Sequence, residues 1–585
     1  MTAAPRSVRR ISTGSCTSRR TSAACASRSS RGSWPRAPTR GAGIPSLTWS
    51  ACGGPHGLTN RGWSAWRASS STACELDLIL DGRELEDGSV LDCEVCVIGA
   101  GAAGITVARR LMAEGRRVIL VSGGGRERDP DMQALYAASM SGLGTWQPRR
   151  LRLRQHGGST NHWSGFCLPL EPEDFAARAW IPNSGWPLEY ADMLPYYRRA
   201  QLDVELAEMV YGPAEVAEAT GDAPLDVEGG AIASVTYQFS PPSRFATVYE
   251  DELEASSSPT LLHAHVTQLV LNEGHERVVR AECAVLSGPR FAIEAGRFVL
   301  ACGGIDNPRL LLASNAQIPE GIGNAHDLVG RFFMEHPHFY RGAVWVAPTD
   351  LDTRFYRLRR ATLDHPDGEG RSISMQGALA LSASVREREG LAGFAATVGG
   401  RDFDDVEVAP PPPDRTLTLL GHHEEVQLWA LDCRVEQTPD PESRVTLAGG
   451  PDALGIPQAD VSWQIRDRDM ETLARGLELI GAELGARRLG RLWRSVDAEG
   501  RFDWQLEAGG HHMGTTRMAA RPEDGVVDAD CKVFGTENLY VAGSSVFVTG
   551  GHANPTLTLV ALAERLADHL LERPYEPPSE REEGP

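Results

Sequence analysis

A glycine-rich turn between a predicted strand and a predicted helix constrains the fold of this chain more than any other feature. Glu94–Ile98 is a short run rich in β-branched residues, and Gly99–Gly104, which reads GAGAAG, follows it directly. An apolar helical pattern continues to Met112, and Val118–Val121 predicts a second strand. This order predicts a βαβ unit, in which two parallel strands flank one helix.

The three glycines of this turn predict a dinucleotide-binding site. Gly99 allows the tight turn, Gly101 lets the backbone approach a pyrophosphate, and Gly104 lets the helix pack on the strand. The helix N-terminus then faces the negative charge of the phosphates. The second strand is followed by Ser122, where Asp or Glu usually holds a ribose hydroxyl, and Arg126 lies nearby. A neutral residue with a nearby arginine also fits a ribose phosphate, so NADP is an alternative cofactor at this point.

Gly509–Thr558 is a second glycine-rich stretch, and it combines histidines with a strand–turn–helix pattern. The pair His511-His512 comes first, and Asn538–Ala542 predicts a buried strand. A neutral imidazole suits proton abstraction from a hydroxyl because its reference pKa is ~6.5. The turn and the start of the apolar helix after it contain Gly543, Gly550, Gly551, His552, Asn554 and Pro555.

These two stretches resemble the glucose–methanol–choline (GMC) oxidoreductases, flavoenzymes that oxidise alcohols. The loop at 155–169, which reads QHGGSTNHWSGFCLP, resembles the family segment that lies against the flavin ring. The resemblance covers roughly residues 77–575. It is strongest to the branch that includes pyranose oxidases and bacterial sugar dehydrogenases.

The resemblance implies the reaction and the catalytic residues. An alcohol group, favoured as that of a sugar, glycoside or polyol, would become a carbonyl by hydride transfer to flavin N5. His511 would be the general base and Asn554 would orient the alcohol oxygen. His512 is the neighbouring alternative, but His511 has the family's spacing to Gly514-Thr515.

The same resemblance, with the glycine fingerprint, implies how FAD is bound. In pyranose oxidases the histidine of a Thr-His-Trp-Thr motif is bonded to the flavin 8α-methyl group, and His162 aligns with it. Asn161 and Ser164 replace the flanking threonines, so we expect a non-covalent flavin, with covalent attachment as the alternative. Val266 is implied to contact adenine through its backbone. The implied cofactor-binding residues are Gly99, Gly101, Gly104, Ser122, Gly157, Gly158, Ser159, Asn161, His162, Val266, Gly543, Pro555 and Thr556.

Other polar residues of the motifs are expected to have no role in the reaction. His336 and His338 follow the Glu335-His336-Pro337 run, and we expect them to pack beside a turn fixed by the proline. His552 has no assigned role. The histidine pairs lack cysteine or carboxylate partners at ligand spacing, so no metal site is predicted.

The predicted fold class is α/β, with a Rossmann-like FAD-binding domain and an antiparallel-sheet substrate-binding cap domain. The FAD-binding domain is discontinuous and spans 76–170, 240–335 and 506–575, and the cap spans 171–239 and 336–505. Residues 1–75 predict a disordered extension or a mis-assigned start, because they lack periodic apolar residues. Residues 576–585 predict a disordered tail.

Charge and hydropathy restrict the partners. A net charge of −20 argues against nucleic-acid binding. No stretch approaches the ~18 consecutive apolar residues of a membrane span, and no apolar signal segment follows the N-terminal arginine pairs. We expect a cytoplasmic enzyme with a small-molecule substrate and an electron acceptor that the sequence does not identify. The competing hypotheses are an NADP-dependent dehydrogenase and a non-catalytic nucleotide-binding protein.

Overall fold

The computed structural model describes residues 78–142, 148–399, 416–419, 422–494 and 505–574. All of them belong to one unit, Gly57–Pro585. The predicted extension 1–75 and the predicted tail 576–585 lie outside the described residues.

The described residues form strands and helices that alternate along the chain. The strands are β1 (Ile79–Asp81), β2 (Val90–Ile98), β3 (Val118–Val121), β4 (Ala138–Gly142), β5 (Phe166–Cys167), β6 (Ile232–Phe239), β7 (Thr260–Leu262), β8 (His265–Leu271), β9 (Val278–Ala284), β10 (Arg290–Leu300), β11 (Pro337–Pro348), β12 (Arg359–Leu363), β13 (Arg371–Leu381), β14 (Phe394–Gly399), β15 (Thr416–Leu419), β16 (His422–Val435), β17 (Arg444–Pro451), β18 (Pro457–Trp463), β19 (Arg491–Arg494), β20 (Gln505–Ala508) and β21 (Leu539–Val541). The α-helices are α1 (Ala102–Ala113), α2 (Pro130–Ala134), α3 (Pro148–Leu151), α4 (Pro172–Phe175), α5 (Tyr190–Asp203), α6 (Pro213–Thr220), α7 (Phe245–Val248), α8 (Glu250–Ala255), α9 (Gly303–Ala313), α10 (Ala383–Glu389), α11 (Asp467–Ala486) and α12 (Thr556–Glu572). The 3₁₀ turns are Gly82–Glu84, Gly158–Asn161, Arg354–Tyr356 and Ser544–Val546.

An eight-stranded sheet carries the glycine fingerprint. Its order is β1-β7-β3-β2-β10-β9-β8, and β21 pairs with β10. The pairs from β1 to β10 and the pair β10–β21 are parallel, whereas β9 joins antiparallel to β10 and β8. The strands β2 and β3 flank α1 as predicted. Their apolar runs are buried, as the strands of a parallel sheet covered on both faces require.

A ten-stranded sheet lies mostly in the second half of the chain and is antiparallel. Its order is β19-β11-β16-β14-β13-β6-β5, with β12, β15 and β20 joined at its sides. A separate three-stranded sheet has the order β17-β18-β4. The presence of a parallel sheet and a distinct antiparallel sheet confirms the predicted α/β class.

The two sheets share one continuous apolar core. Buried side chains of β2, β3, β10 and β21 belong to the same cluster as those of β11, β13, β14 and β16. None of the helices in the described ranges combines the length and apolar character that crossing a membrane requires. The shared core therefore fixes the ends of the parallel strands relative to the antiparallel sheet. The candidate site lies where these two parts meet.

Candidate active site

A single cavity of about 670 Å³ is lined by both sheets. This volume is within the roughly 300–1,000 Å³ that small-molecule and cofactor sites occupy. Most of the residues predicted for the site line it: Gly99, Gly101, Ser122, Gly158, Ser159, His162, Val266, His511, Gly543, Asn554, Pro555 and Thr556. The chain thus brings together residues from position 99 to position 556.

The fingerprint forms one end of the cavity with the geometry that its glycines predict. Gly99 has φ +110°, which favours glycine, and it turns the chain from β2 into α1. A Cβ on Gly104 would lie 1.8 Å from the carbonyl oxygen of Gly99, so only glycine lets the helix come this close to the strand. A Cβ on Gly101 would meet no protein atom within 4 Å, which leaves the start of α1 open toward the cavity. An anion could therefore approach the backbone N–H groups there.

Behind this end, three of the predicted residues support the lining instead of forming it. Gly104 packs under the turn, and the N–H of Gly157 donates to the carbonyl of Ala100 at 2.9 Å. The Asn161 amide donates to the carbonyl of His156 at 2.7 Å. These contacts fix the loop 157–162 against the fingerprint and so determine where Gly158 and His162 face the cavity.

The residues after β3 are not arranged to bind a ribose phosphate through Arg126. The Ser122 hydroxyl donates to the carbonyl of Gly124 at 3.0 Å and is buried. The Arg126 guanidinium lies outside the cavity lining and pairs with Glu250 at 2.9 Å and Glu254 at 2.8 Å. The expectation that Arg126 could serve a cofactor here is wrong, because two carboxylates of α8 bind it on the surface.

Arg154 and His265 line the cavity at this position instead. The Arg154 guanidinium is 3.1 Å from His265 Nδ1. A Cβ on Gly123 would come within 3.0 Å of both side chains, so the glycine makes room for them. Sequence analysis missed this pair because His265 begins β8, far from the fingerprint in the chain.

His511 and Asn554 meet at the other end of the cavity. The Asn554 amide nitrogen is 3.1 Å from His511 Nε2, although 43 residues separate the two in sequence. His511 follows Gly510, whose φ of +76° turns the chain into the site. Asn554 precedes Pro555, the N-cap of the last helix, α12. Burial lowers the pKa of His511 well below its usual value, so its imidazole is neutral at neutral pH.

His336 and His338 belong to this cluster, which corrects the expectation that they only pack beside a turn. His336 Nδ1 lies 2.8 Å from His511 Nδ1, and the ring centroids are 5.0 Å apart. The His338 ring is 5.5 Å from that of His511 and lines the cavity. His338 and Tyr340 are two residues apart on β11, so their side chains lie on the same face of the strand.

Glu335 supports the base from behind. Its Oε2 accepts a hydrogen bond from the backbone N–H of His511 at 2.8 Å, and its Oε1 is 3.3 Å from His512 Nε2. Burial raises the pKa of Glu335 to about 8 and lowers that of His512 to about 3, so both side chains are neutral near pH 7. His512 also borders the cavity, but its ring packs against Phe333 and Glu335, whereas His511 is the histidine that meets Asn554.

The antiparallel sheet contributes polar groups of both signs to the cavity wall. Asp432 and Arg434 on β16 both line it, as does Tyr340, whose hydroxyl is 2.7 Å from His338 Nδ1. Arg434 is 5% exposed and lies over the rings of Phe166 at 4.7 Å and Tyr237 at 5.3 Å. Among the described residues, no carboxylate is within ion-pair distance of Arg434. Its Nη1 donates to the Thr397 hydroxyl at 3.5 Å, and the residue also borders the cavity, where a ligand could accept from it.

His552 is buried outside the cavity lining. Its carbonyl accepts a hydrogen bond from the Tyr237 hydroxyl at 3.2 Å. Cys93 and Cys96 are fully buried in β2 as small strand residues. Within the described ranges, no group of three or more histidine, cysteine or acidic side chains could hold a metal ion.

A glycine turn of a parallel sheet lies at one end of the cavity, and a neutral histidine with an amide partner lies at the other. This is the arrangement expected of a nucleotide-cofactor-dependent oxidoreductase. The sequence model of the family described as GMC oxidoreductase matches residues 439–563. The chain is 26% identical to 2-methyl-1,2-propanediol dehydrogenase of Mycolicibacterium austroafricanum, over 82% of this chain and 95% of that protein. It is 26% identical to 6'''-hydroxyparomomycin C oxidase of Streptomyces lividus, over 82% of this chain and 92% of that protein.

A further sequence relative and a structural neighbour are also oxidases. A C-glycoside 3-oxidase of Arthrobacter globiformis is 34% identical over 52% of each chain. The crystal structure of pyridoxine 4-oxidase from Mesorbium loti superimposes with a TM-score of 0.54 at 18% identity and covers 82% of this chain and 100% of that one. Residues 439–563 thus match a GMC oxidoreductase domain, and the proteins that the chain resembles along most of its length are named as oxidases and dehydrogenases.

Proposed function

We propose that this enzyme oxidises a hydroxyl group of a sugar, glycoside or polyol to a carbonyl, with His511 as general base and Asn554 as the residue that orients the alcohol oxygen. One observation carries the proposal. The His511 and Asn554 side chains are 3.1 Å apart and face the same cavity as the glycine fingerprint. A hydroxyl between them would be within hydrogen-bond reach of a neutral imidazole and an amide, the arrangement that alcohol deprotonation requires.

The cavity lining fits FAD. The open backbone at Gly101 and at Gly303, where a Cβ would meet no protein atom within 4 Å, leaves space for a pyrophosphate at the starts of α1 and α9. The other predicted lining residues, from Ser159 and His162 to Pro555, would hold the remainder. When bound, the flavin supplies a two-electron acceptor for the hydride of the alcohol carbon. We expect the FAD to be non-covalent, with His162 as a neutral residue of its pocket.

The residues of the chain have three tasks in this reaction. His511 would accept the hydroxyl proton at Nε2, which requires the neutral imidazole that burial favours. Asn554 would hold the alcohol oxygen by a hydrogen bond, which fixes the carbon relative to the cofactor. The enclosing residues His338 and Phe166 would exclude bulk water from the reacting atoms.

The substrate class is supported by the polar groups of β16 in the cavity wall, where Arg434 is the cross-strand partner of His338, and by the relatives. Asp432 can accept hydrogen bonds from hydroxyl groups and Arg434 can donate to hydroxyl oxygens. A polyhydroxylated substrate offers partners to both, whereas a monoalcohol offers one hydroxyl, which His511 and Asn554 would already bind. The relatives named above act, by their names, on a diol, an aminoglycoside and a C-glycoside.

The proposal is tested with purified protein and paired substrates. Sugars and polyols are compared with monoalcohols of similar size, with a dye acceptor and with oxygen, for the wild type, His511→Ala and the control His326→Ala, an exposed histidine. We expect His511→Ala to keep bound flavin and to lose about 10²–10⁴-fold in kcat, the contribution of a general base. Unchanged turnover by His511→Ala would refute the role of the base, and preference for monoalcohols would refute the substrate class.

Two finer points complete the proposal. We also propose that the enzyme is cytoplasmic. The NADP alternative is not favoured, because Arg126 is bound by Glu250 and Glu254.

A further inference from the structure

Both ring nitrogens of the proposed base are within hydrogen-bond distance of another side chain. His511 Nδ1 is 2.8 Å from His336 Nδ1, and His511 Nε2 is 3.1 Å from the Asn554 amide nitrogen. A neutral imidazole has one N–H and one lone pair, so its partners determine which nitrogen carries the proton. The base can act on a hydroxyl only through the nitrogen that faces the cavity and only if that nitrogen has the lone pair.

The protonation of His336 is fixed from its far side. His336 Nε2 is 2.9 Å from the carbonyl oxygen of Gly551 and 3.3 Å from that of Gly550. Carbonyl oxygens only accept, so Nε2 carries the hydrogen. His336 is fully buried, and burial lowers its pKa to about 4, so at neutral pH its Nδ1 has a lone pair.

The orientation of His511 follows from this. Two lone pairs at 2.8 Å would repel each other, so His511 Nδ1 must donate to His336 Nδ1. The lone pair of His511 is then on Nε2, where the Asn554 amide donates to it. Each hydrogen bond therefore points from Asn554 toward the Gly551 carbonyl: Asn554 donates to His511, His511 donates to His336, and His336 donates to Gly551.

The backbone is built to admit the His336 ring. A Cβ on Gly550 would lie 3.2 Å from His336 Nε2 and 2.9 Å from Met513 Cε, and Gly551 has φ +55°. Side chains at these two positions would displace the carbonyls that hold the ring. Gly550 and Gly551 therefore help to hold the His336 ring in its position beside His511.

We propose that His336 is a positioning residue that keeps the proton of His511 on Nδ1, so that the Nε2 lone pair, which the Asn554 amide faces in this structure, can accept the proton of a substrate hydroxyl. The proposal rests on the proposed function, in which His511 is the base. After His511 accepts the proton, its Nδ1–H donates to His336 as a charge-assisted hydrogen bond, which stabilises the imidazolium. The other titratable or charged groups around the pair are His338, His512, Glu335, Arg434, Glu436 and His552.

A matched pair of variants separates this role from simple packing. In His336→Asn the amide oxygen can replace Nδ1 as the acceptor, whereas in His336→Gln the longer side chain carries its amide toward the Gly551 carbonyl. We expect His336→Gln to lose about 10²-fold in kcat with little change in KM, because a misoriented base loses most of its contribution. His336→Asn should retain most of the wild-type kcat.

A second readout does not depend on turnover. ¹⁵N spectra of histidine-labelled resting enzyme, with the His511→Ala spectrum as reference, should show the His511 proton on Nδ1 in the wild type and in His336→Asn only. If His511→Ala loses activity while His336→Gln keeps the wild-type kcat, or if both His336 variants lose kcat equally with flavin bound, the positioning role is refuted and the proposed function stands. If His511→Ala stays active, the proposed function itself fails.

Discussion

At the scale of single residues, the site depends on side chains that burial keeps uncharged. Glu335 and His512 are both buried beside His511, 3.3 Å apart, and neither is charged near pH 7. A charged Glu335 beside the base would raise the pKa of His511, and a charged His512 would lower it. Their neutrality leaves His336 and Asn554 as the groups that determine how His511 binds its proton.

Stability should depend on pH with opposite signs at these two residues. The raised pKa of Glu335, about 8, gives stability that is complete below its unfolded value and is lost as the pH rises toward 8. The lowered pKa of His512, about 3, gives stability that is complete above pH ~6.5 and is lost as the pH falls toward 3. Relative to the wild type, Glu335→Gln should therefore become more stable with rising pH and His512→Gln with falling pH.

Thermal melts of both variants across pH 4–9, a window of about five units around these pKa values, measure the two dependences. Each variant is the control for the other, since both remove a titrating group from the same buried pair. Parallel pH dependences of the two Tm differences would show that at least one of the side chains is charged in the folded protein.

At the scale of elements, the glycine fingerprint separates packing from binding. Gly104 is where α1 crosses the turn after β2, and its missing side chain lets the two elements touch. Gly101 has no such contact and opens toward the cavity. These two glycines, three residues apart, thus have different roles: Gly104 allows the helix to pack, and Gly101 leaves space for a ligand.

Alanine at these two positions should have different effects. In Gly104→Ala the helix would gain ~1 kcal/mol in propensity, but overpacking against the Gly99 carbonyl costs about 1–3 kcal/mol and the backbone cannot yield easily. We expect a less stable apoprotein. Gly101→Ala should leave the stability of the apoprotein unchanged and weaken FAD binding.

Denaturant unfolding of the apoproteins and FAD titration of each variant measure the two effects. Equal FAD affinity of Gly101→Ala and the wild type would contradict the assignment of Gly101 to the phosphate site.

At the scale of the whole molecule, the cavity links parts of the chain that are far apart in sequence. Its lining comes from the ends of β2 and β3, the loop 157–166, α9, β11, β16 and the start of α12. A ligand that fills it contacts both sheets at once. Binding should therefore stabilise the entire cooperative unit and not one segment of it.

Removal of the cofactor should lower the thermal stability of the chain. FAD at 100 times its Kd stabilises the folded state by about 2.7 kcal/mol, which raises Tm by a few degrees. Melts of apoprotein with FAD, with NADP and without nucleotide test this, and acid precipitation shows whether colour stays with the protein. A rise with NADP alone would contradict the FAD assignment, and colour in the pellet would show covalent attachment at a residue such as His162.

The sequence by itself determined the elements and motifs of this protein. The runs Glu94–Ile98 and Val118–Val121 lie within strands of the parallel sheet, and Gly99–Gly104 forms the turn and the helix start between them. This was predictable because periodicity and glycine spacing are local properties. The domain boundaries and the roles of His511, Asn554 and the cofactor-binding residues stay predictions.

Only the tertiary structure decided which side chains meet. His336 contacts His511 across 175 residues, and β21 pairs with β10 although strands β11 to β20 lie between them in sequence. Arg126, close to the fingerprint in sequence, is bound elsewhere by Glu250 and Glu254. Such contacts depend on the register of strands that pair over long distances, and no local pattern records that register.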